Sequence, residues 1–214
     1  MLWVMKRVPE TARPSGVAAD SRHEARRSAL LEAALVAIAE HGYDAVRLRD
    51  VAATCGVTTG MIQYHFDTRD ALLSAAFERA ALRQVESWKR AVHDETDEVR
   101  RLPALLEQML AEFSSVDTCT VWAELCVSAA RHPHLQSVVR EVFAQWHDLL
   151  VEAVAAGVEH GALAPVLPVD DATGILIAAV DGFELALATR AGIAQPSQAA
   201  YRVMLLAGVL FPPA

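Results

Sequence analysis

The chain has 214 residues, of which 53% are hydrophobic and only 6% aromatic, with a formal net charge of −8. That length holds one or two domains with a sizeable core, and an even spread of negative charge would exclude a nucleic-acid partner. The charge is uneven: Lys+Arg and Asp+Glu number nine each through Asp70, then ten against eighteen beyond it. A neutral first third on an acidic remainder can still bind DNA, because local Arg placement outweighs the total.

Residues 1–20 contain Pro9, Pro14 and Gly16 without periodicity and read as a disordered arm in which Lys6, Arg7 and Arg13 could touch DNA or remain solvated. MLWVMKR is too short for a secretory apolar region, and Met5 is an alternative start. Arg22, Arg26 and Arg27 open a helix buried through Leu31, Ala34, Leu35 and Ile38 and ended by Gly42. Leu48, Val51, Ala52 and Cys55 then give a second helix one apolar stripe. Gly56 supplies a left-handed stop, and Thr58 can cap a third helix two residues later.

In that third helix Ile62 and Phe66 face inward, which turns Gly60 and Tyr64 outward with Met61 and Gln63 beside them. Small, polar or flat outward residues suit a helix whose N-terminal end enters a major groove. Gly60 allows close approach, Gln63 can pair with a base edge, and Tyr64 can donate to a phosphate. The stretch Leu48 to Phe66 is therefore a helix-turn-helix with a plausible DNA-reading face.

Arg27 to Phe77 resembles the N-terminal domain of the TetR (tetracycline repressor) family. The resemblance rests on ALLEAALVAIAEHGYDAVRLRDVA, the turn CGVTTG, the triplet YHF and the following TRDALL. It implies an all-α protein with a three-helix DNA-binding domain over 21–70 and a larger ligand-binding and dimerisation domain over 71–214. It also implies a DNA-binding set of Arg47, Arg49, Thr58, Thr59, Gly60, Met61, Gln63, Tyr64, His65 and Arg69, with Arg69 reaching a phosphate where relatives carry Lys. Two positions depart from the family: Arg47 stands where Thr or Ser usually caps the second helix, and Gln63 where Tyr is frequent.

Beyond the head, Asp67, Thr68 and Asp70 start a long helix reaching about His93. DETDEV is an acidic link, and Pro103 precedes Leu106, Met109, Leu110 and Phe113. Asp117 is expected to cap VWAELCVSAARH, which Pro133 ends; His134 to His160 is another helix, closed by Gly161. ALAPVLPVDD connects to a helix from Asp170 or Asp171 to Arg190, and Pro196 opens the last one. The longest apolar stretches, Ile175–Val180 and Val203–Phe211, fall short of the ~20 residues of a membrane helix.

The segments WAELCVSAARHP and AAVDGFELAL are similar to the body of the same family, which implies that the last two helices pair with their copies in a homodimer. Ala178, Ala179 and Gly182 permit close approach, and Val203, Leu206 and Leu210 form an apolar stripe that serves either the dimer or the core. Met109, Phe113, Trp122, Cys126, Phe143, Trp146 and Phe183 are candidate ligand-site residues, while Glu124 falls off the apolar stripe and is expected in solvent. His132, His134, His147 and His160 lack metal-ligand spacing. Cys55, Cys119 and Cys126 form no metal motif, and an odd count fits a reducing cytoplasm. No phosphate loop or nucleophile elbow supports an enzyme or a cofactor. The expected function is a cytoplasmic repressor that binds a palindromic operator as a homodimer and is released by a small-molecule effector. The alternative is a helical dimer whose head has become an interaction module.

Overall fold

The computed structural model describes the backbone of residues 16–214 and the side chains of 22–214 other than Val116. The fold is helical. α1 (Gly16–His41), α2 (Leu48–Cys55) and α3 (Thr59–Phe66) make the head; α4 (Arg69–Asp94) leads out of it. α5 (Arg101–Ala111), α6 (Val116–Ala129), α7 (Gln136–Glu159), α8 (Val169–Ala188) and α9 (Pro196–Leu210) complete the body. Among the described residues the sole β-type pairing is an isolated bridge between Leu163 and Pro213, and no helix is long and apolar enough to cross a membrane.

Local chemistry sets the boundaries. Gly56 adopts the left-handed conformation (φ 63°), its N–H donates to Ala53 and that of Val57 to Ala52, so the last carbonyls of α2 are satisfied by a Schellman stop. Thr58 and Thr68 cap α3 and α4 by accepting from Met61 N and Ala71 N. Arg47 precedes α2 without a side-chain cap bond. α4 buries Leu72, Leu73, Ala76, Phe77, Ala81, Val85, Trp88 and Val92 at helical spacing. At ~1.5 Å per residue it is roughly 39 Å long, enough to serve both the head and the body core. It packs on α1 at one end and on α5 and α7 at the other.

Three expectations change. α1 begins at Gly16, so residues 16–20 of the expected arm are helical, while the rest of that arm lies outside the described residues. α6 begins at Val116 because Ser115, rather than Asp117, accepts the capping bond from Thr118 N; the helix ends at Ala129, before Pro133–Leu135 form a 3₁₀ turn. The third change concerns the last helix. Val203 and Leu210 are buried within the protomer and Leu206 is half-buried, so that stripe belongs to the core. The face of α9 left open carries Tyr201, Met204, Leu205 and Val209, and α8 adds Ile175, Ala178, Gly182 and Leu185.

Candidate functional site

The head presents α3 outward. Ile62 and Phe66 are buried, while Thr58, Thr59, Gly60, Gln63 and Tyr64 are exposed, Tyr64 to 79%. A methyl group at Gly60 would meet nothing closer than Thr58 Oγ1 at 3.8 Å, so a partner surface can come close to the backbone there. Met61 and His65 are half-buried. His65 packs on His23 of α1 with ring centroids 4.4 Å apart, and burial together with His23, Arg27 and Arg26 pulls its pKa below the usual imidazole value. Arg47 and Arg49 are exposed at the start of α2, Arg49 within 3.5 Å of Asp50. Arg27 lies over the Phe66 ring, 5.1 Å from its centroid.

Arg69 is used differently from expectation. Its Nε donates to Val46 O (2.6 Å), one terminal nitrogen to Asp70 (2.6 Å) and the other to Tyr43 O, while the guanidinium covers the Tyr43 ring at 4.9 Å. This geometry gives each of the three nitrogens a partner inside the head, so Arg69 clamps the turn after α1.

The clamped turn is also where head meets body. Tyr43 is fully buried and stacks on Phe77 of α4 at 5.9 Å. Its N–H donates to Glu124 of α6 (3.2 Å), and its hydroxyl pairs with His134 (3.0 Å). Asp44 next to it holds His132 (2.8 Å) and Arg131 (3.3 Å), and the His132 hydrogen bond keeps its carboxyl below the usual range. Glu124 is therefore a joint residue rather than a solvated one. His160 pairs with Glu98, and His147 with Asp148 and Asp170.

A cavity of about 520 Å³ opens between α1, α4 and α6. Leu35, Val36, Phe77, Val121, Trp122 and Leu125 form its apolar wall; Glu32, Arg83, Gln84 and Glu112 supply polar groups. Its size is within the range of small-molecule sites. Deeper in the body lie Asp181 and Glu184 of α8. Burial pushes Glu112 up to about 7, Asp181 to about 6 and Glu184 to about 8, with neighbouring carboxylates adding to the last. The same burial raises Cys119 and Cys126 to about 12, which leaves both thiols uncharged and inert as nucleophiles.

Residues 30–76 match the family described as bacterial regulatory proteins, tetR family, and residues 98–207 match the C-terminal domain of BetI-type transcriptional repressors. The chain belongs to the TetR family. It is similar to an uncharacterized HTH-type transcriptional regulator of Mycobacterium tuberculosis, 25% identical over 191 residues that cover 88% of this chain and 94% of the relative. Among solved structures, a regulator from Saccharomonospora viridis in complex with choline superposes with a TM-score of 0.80 at 22% identity, covering 88% of this chain and 98% of its own. The regulator FadR of Bacillus subtilis in complex with stearoyl-CoA gives 0.69 at 17%, covering 86% and 97%. These likenesses show the fold.

Within this TetR-family frame, the expected DNA residues Arg47, Arg49, Thr58, Thr59, Gly60, Gln63 and Tyr64 are exposed on or beside α2 and α3 and Met61 is half-buried, while His65 packs on α1 and Arg69 is bonded within the head. The seven expected ligand residues fall into the interior of the body, Met109, Phe113, Trp122 and Trp146 buried and Cys126, Phe143 and Phe183 half-buried against the same core. Of these seven, Trp122 lines the cavity. Sequence reasoning missed the carboxylates. The signal for two of them was present: Asp181 and Glu184 interrupt an otherwise apolar helix at a spacing of three, which places both on one face. Glu112 and the Tyr43–His134 contact, 91 residues apart in sequence, left no local signal.

Two expected outcomes follow from this geometry. Arg69→Ala should lower stability by about 2 kcal/mol, because three carbonyl or carboxylate acceptors lose a charged donor. Arg69→Lys should recover less than half of that loss, since a single ammonium cannot reproduce the fork. Urea unfolding of both variants measures this, and equal stability of the two would refute the clamp. Glu184 ionises near 4.5 in the unfolded chain and at about 8 in the fold. Its contribution to stability is therefore intact below 4.5 and is lost as pH rises through 8. Glu184→Gln should flatten the fall in stability across that window and exceed wild type at alkaline pH by up to roughly 4 kcal/mol. Thermal melts from pH 5 to 9 test it; parallel wild-type and variant curves would show that Glu184 is not held in a desolvated site.

Proposed function

We propose that the chain is a repressor that reads a palindromic operator as a homodimer and leaves it when a small molecule occupies the body. The observation that carries this reading is the exposed N-terminal end of α3, where Gly60, Gln63 and Tyr64 stand clear of the core. Backbone contacts from Tyr64 and the α2 arginines would set the register, and Gln63 would read a base edge. Two heads in a two-fold dimer would address half-sites about one helical turn (~34 Å) or a multiple apart.

The link between effector and head runs along α6. Trp122 lines the cavity, and Glu124, two residues on, grips the Tyr43 backbone; Arg131 and His132 beyond the helix hold Asp44. A guest that shifts α6 must alter the hold on the turn between α1 and α2. An effector that binds better to the spacing unable to straddle two half-sites would then draw the population off the operator. The choline and stearoyl-CoA complexes of similar folds are consistent with a small organic effector.

Selection of binding sites from random DNA tests the reading head. Gln63→Ala should relax preference at one position per half-site by ~1–3 kcal/mol, whereas Tyr64→Phe should weaken all sequences alike. Full wild-type preference in Gln63→Ala would mean that α3 is oriented otherwise. If the wild-type chain selects no sequence at all, the head is an interaction module and not an operator reader.

The dimer is assigned to the open faces of α8 and α9. Leu205, Val209 and Tyr201 are 51%, 65% and 63% exposed, and Gly174, Ala178 and Gly182 recur every fourth residue along α8, which permits close helix approach. Leu205→Glu places a charge on that face without disturbing the protomer core. It should weaken self-association by several kcal/mol, on the order of the cost of an unpaired buried charge. Analytical ultracentrifugation reads this directly; an undiminished dimer would move the interface elsewhere.

A further inference from the structure

The head carries a second cavity, of about 320 Å³, between α1 and α3. Arg22, His23 and Arg26 line it from α1, and Met61, Tyr64 and His65 from α3. His23 and His65 lie ring on ring, centroids 4.4 Å apart with 39° between their planes. Tyr64 meets His65 edge-on at 5.5 Å and His23 at 6.4 Å. Among the described residues no Asp or Glu belongs to the lining. In a head whose charges balance overall, this cleft is a local concentration of cations and titratable nitrogens.

Two further observations bear on the histidine pair. His65 Nδ1 is buried and has no hydrogen-bond partner among the described residues. Burial, His23, Arg27 and Arg26 together hold the His65 pKa below the usual imidazole value. Of the other helices packed on α3, α2 carries Arg49 beside its own Asp50, and α4 carries Arg69 bonded to its own Asp70. The charges acting on His65 thus come from α1, and all are positive. In the free chain a proton on the pair is opposed by these neighbours. An anion in the cleft would offset that repulsion and favour the imidazolium, which donates from both nitrogens.

The position of the cleft narrows the anion. It shares Met61 and Tyr64 with the outward side of α3, so it flanks the helix assigned to the major groove. The sugar-phosphate strand bounding that groove would run along this flank. We propose that the cleft seats a phosphodiester group of the DNA backbone and that the His23–His65 pair takes up a proton from solvent as it does so, which makes DNA affinity depend on pH. The proposal rests on the reading above that α3 enters DNA. The sign is fixed by the charges. Phosphate lets the pair keep its proton to higher pH than in the free chain. Affinity therefore rises as pH falls through the imidazole range, and levels off once the free chain is protonated too. At alkaline pH the pair is neutral and the arginines alone attract the phosphate.

The test is fluorescence anisotropy of the full chain from pH 8 to 5.5, with a random-sequence duplex at low salt and with the duplex it selects. Affinity for both should rise ~3- to 10-fold per pH unit across the imidazole range, the upper figure being one proton per head. His23→Gln and His65→Gln should each flatten the profile, and the body variant His147→Gln should leave it as in wild type. His23 is exposed, so its replacement spares the fold. Arg26→Gln should weaken all sequences alike and lower the salt slope by ~1, whereas Arg140→Gln on α7 should do neither. Replacing chloride by inorganic phosphate at constant ionic strength separates the two sources of phosphate. Affinity within twofold is expected; strong displacement would assign the cleft to free phosphate and overturn the proposal. A flat wild-type profile, or a wild-type slope in both histidine variants, would overturn it as well. A chain that selects a sequence with a flat profile refutes the cleft alone. One that binds the random duplex with the expected slope but selects no sequence refutes the operator reading and leaves the cleft standing. No binding to any duplex refutes both.

Discussion

The structure depends on what surrounds one tyrosine. Tyr43 sits at the turn after α1, fully buried, with Phe77 beneath its ring, Arg69 over it and Glu124 on its backbone N–H. Leaving its hydroxyl buried without a partner would cost a few kcal/mol; His134 of the body (3.0 Å) and Asp70 (3.4 Å) supply partners. Two helices, α4 and α6, and the 3₁₀ turn that carries His134 are tied to this one residue. The head cannot change its angle to the body without breaking these contacts.

That constraint is why, under the proposed reading, α6 is the element that would carry the signal. A helix moves as a rigid unit because its side chains interlock with their neighbours at near-crystalline density. On α6, Trp122 faces the cavity, Cys126 faces the carboxylates, and Glu124 faces the head. These contacts span less than two turns. Under the proposed reading, a guest would need to displace α6 only slightly to alter the Tyr43 contact, and packed joints can turn small displacements into changes of state.

The parts of the fold legible in the sequence are those governed by local chemistry. Gly56 and Thr58 announce the turn between α2 and α3 because a left-handed stop and a hydroxyl cap are single-residue requirements. Ile62 and Phe66 orient α3 through helical period alone. Where two apolar stripes compete, period is not enough. On α9, Val203 and Leu210 and the alternative set Leu205 and Val209 are equally apolar, and tertiary packing against the rest of the body decides which is inside. Arg69 shows the same limit for charge. A cation at a helix start beside the DNA-facing end reads as a phosphate ligand, until the fold brings the Val46 and Tyr43 carbonyls within its reach. Glu124 looked solvated for the mirror reason: its acceptor partner is a backbone N–H 81 residues away, which no local pattern records.

The acidic character of the chain takes on a different meaning in this light. Its surplus of carboxylates lies wholly beyond the head, and three of them, Glu112, Asp181 and Glu184, are turned inward among aromatic rings where they weaken the fold. A core selected for stability alone would not hold them, since neutral residues of the same shape pack better. Local rules are broken in this way where a site needs the offending group.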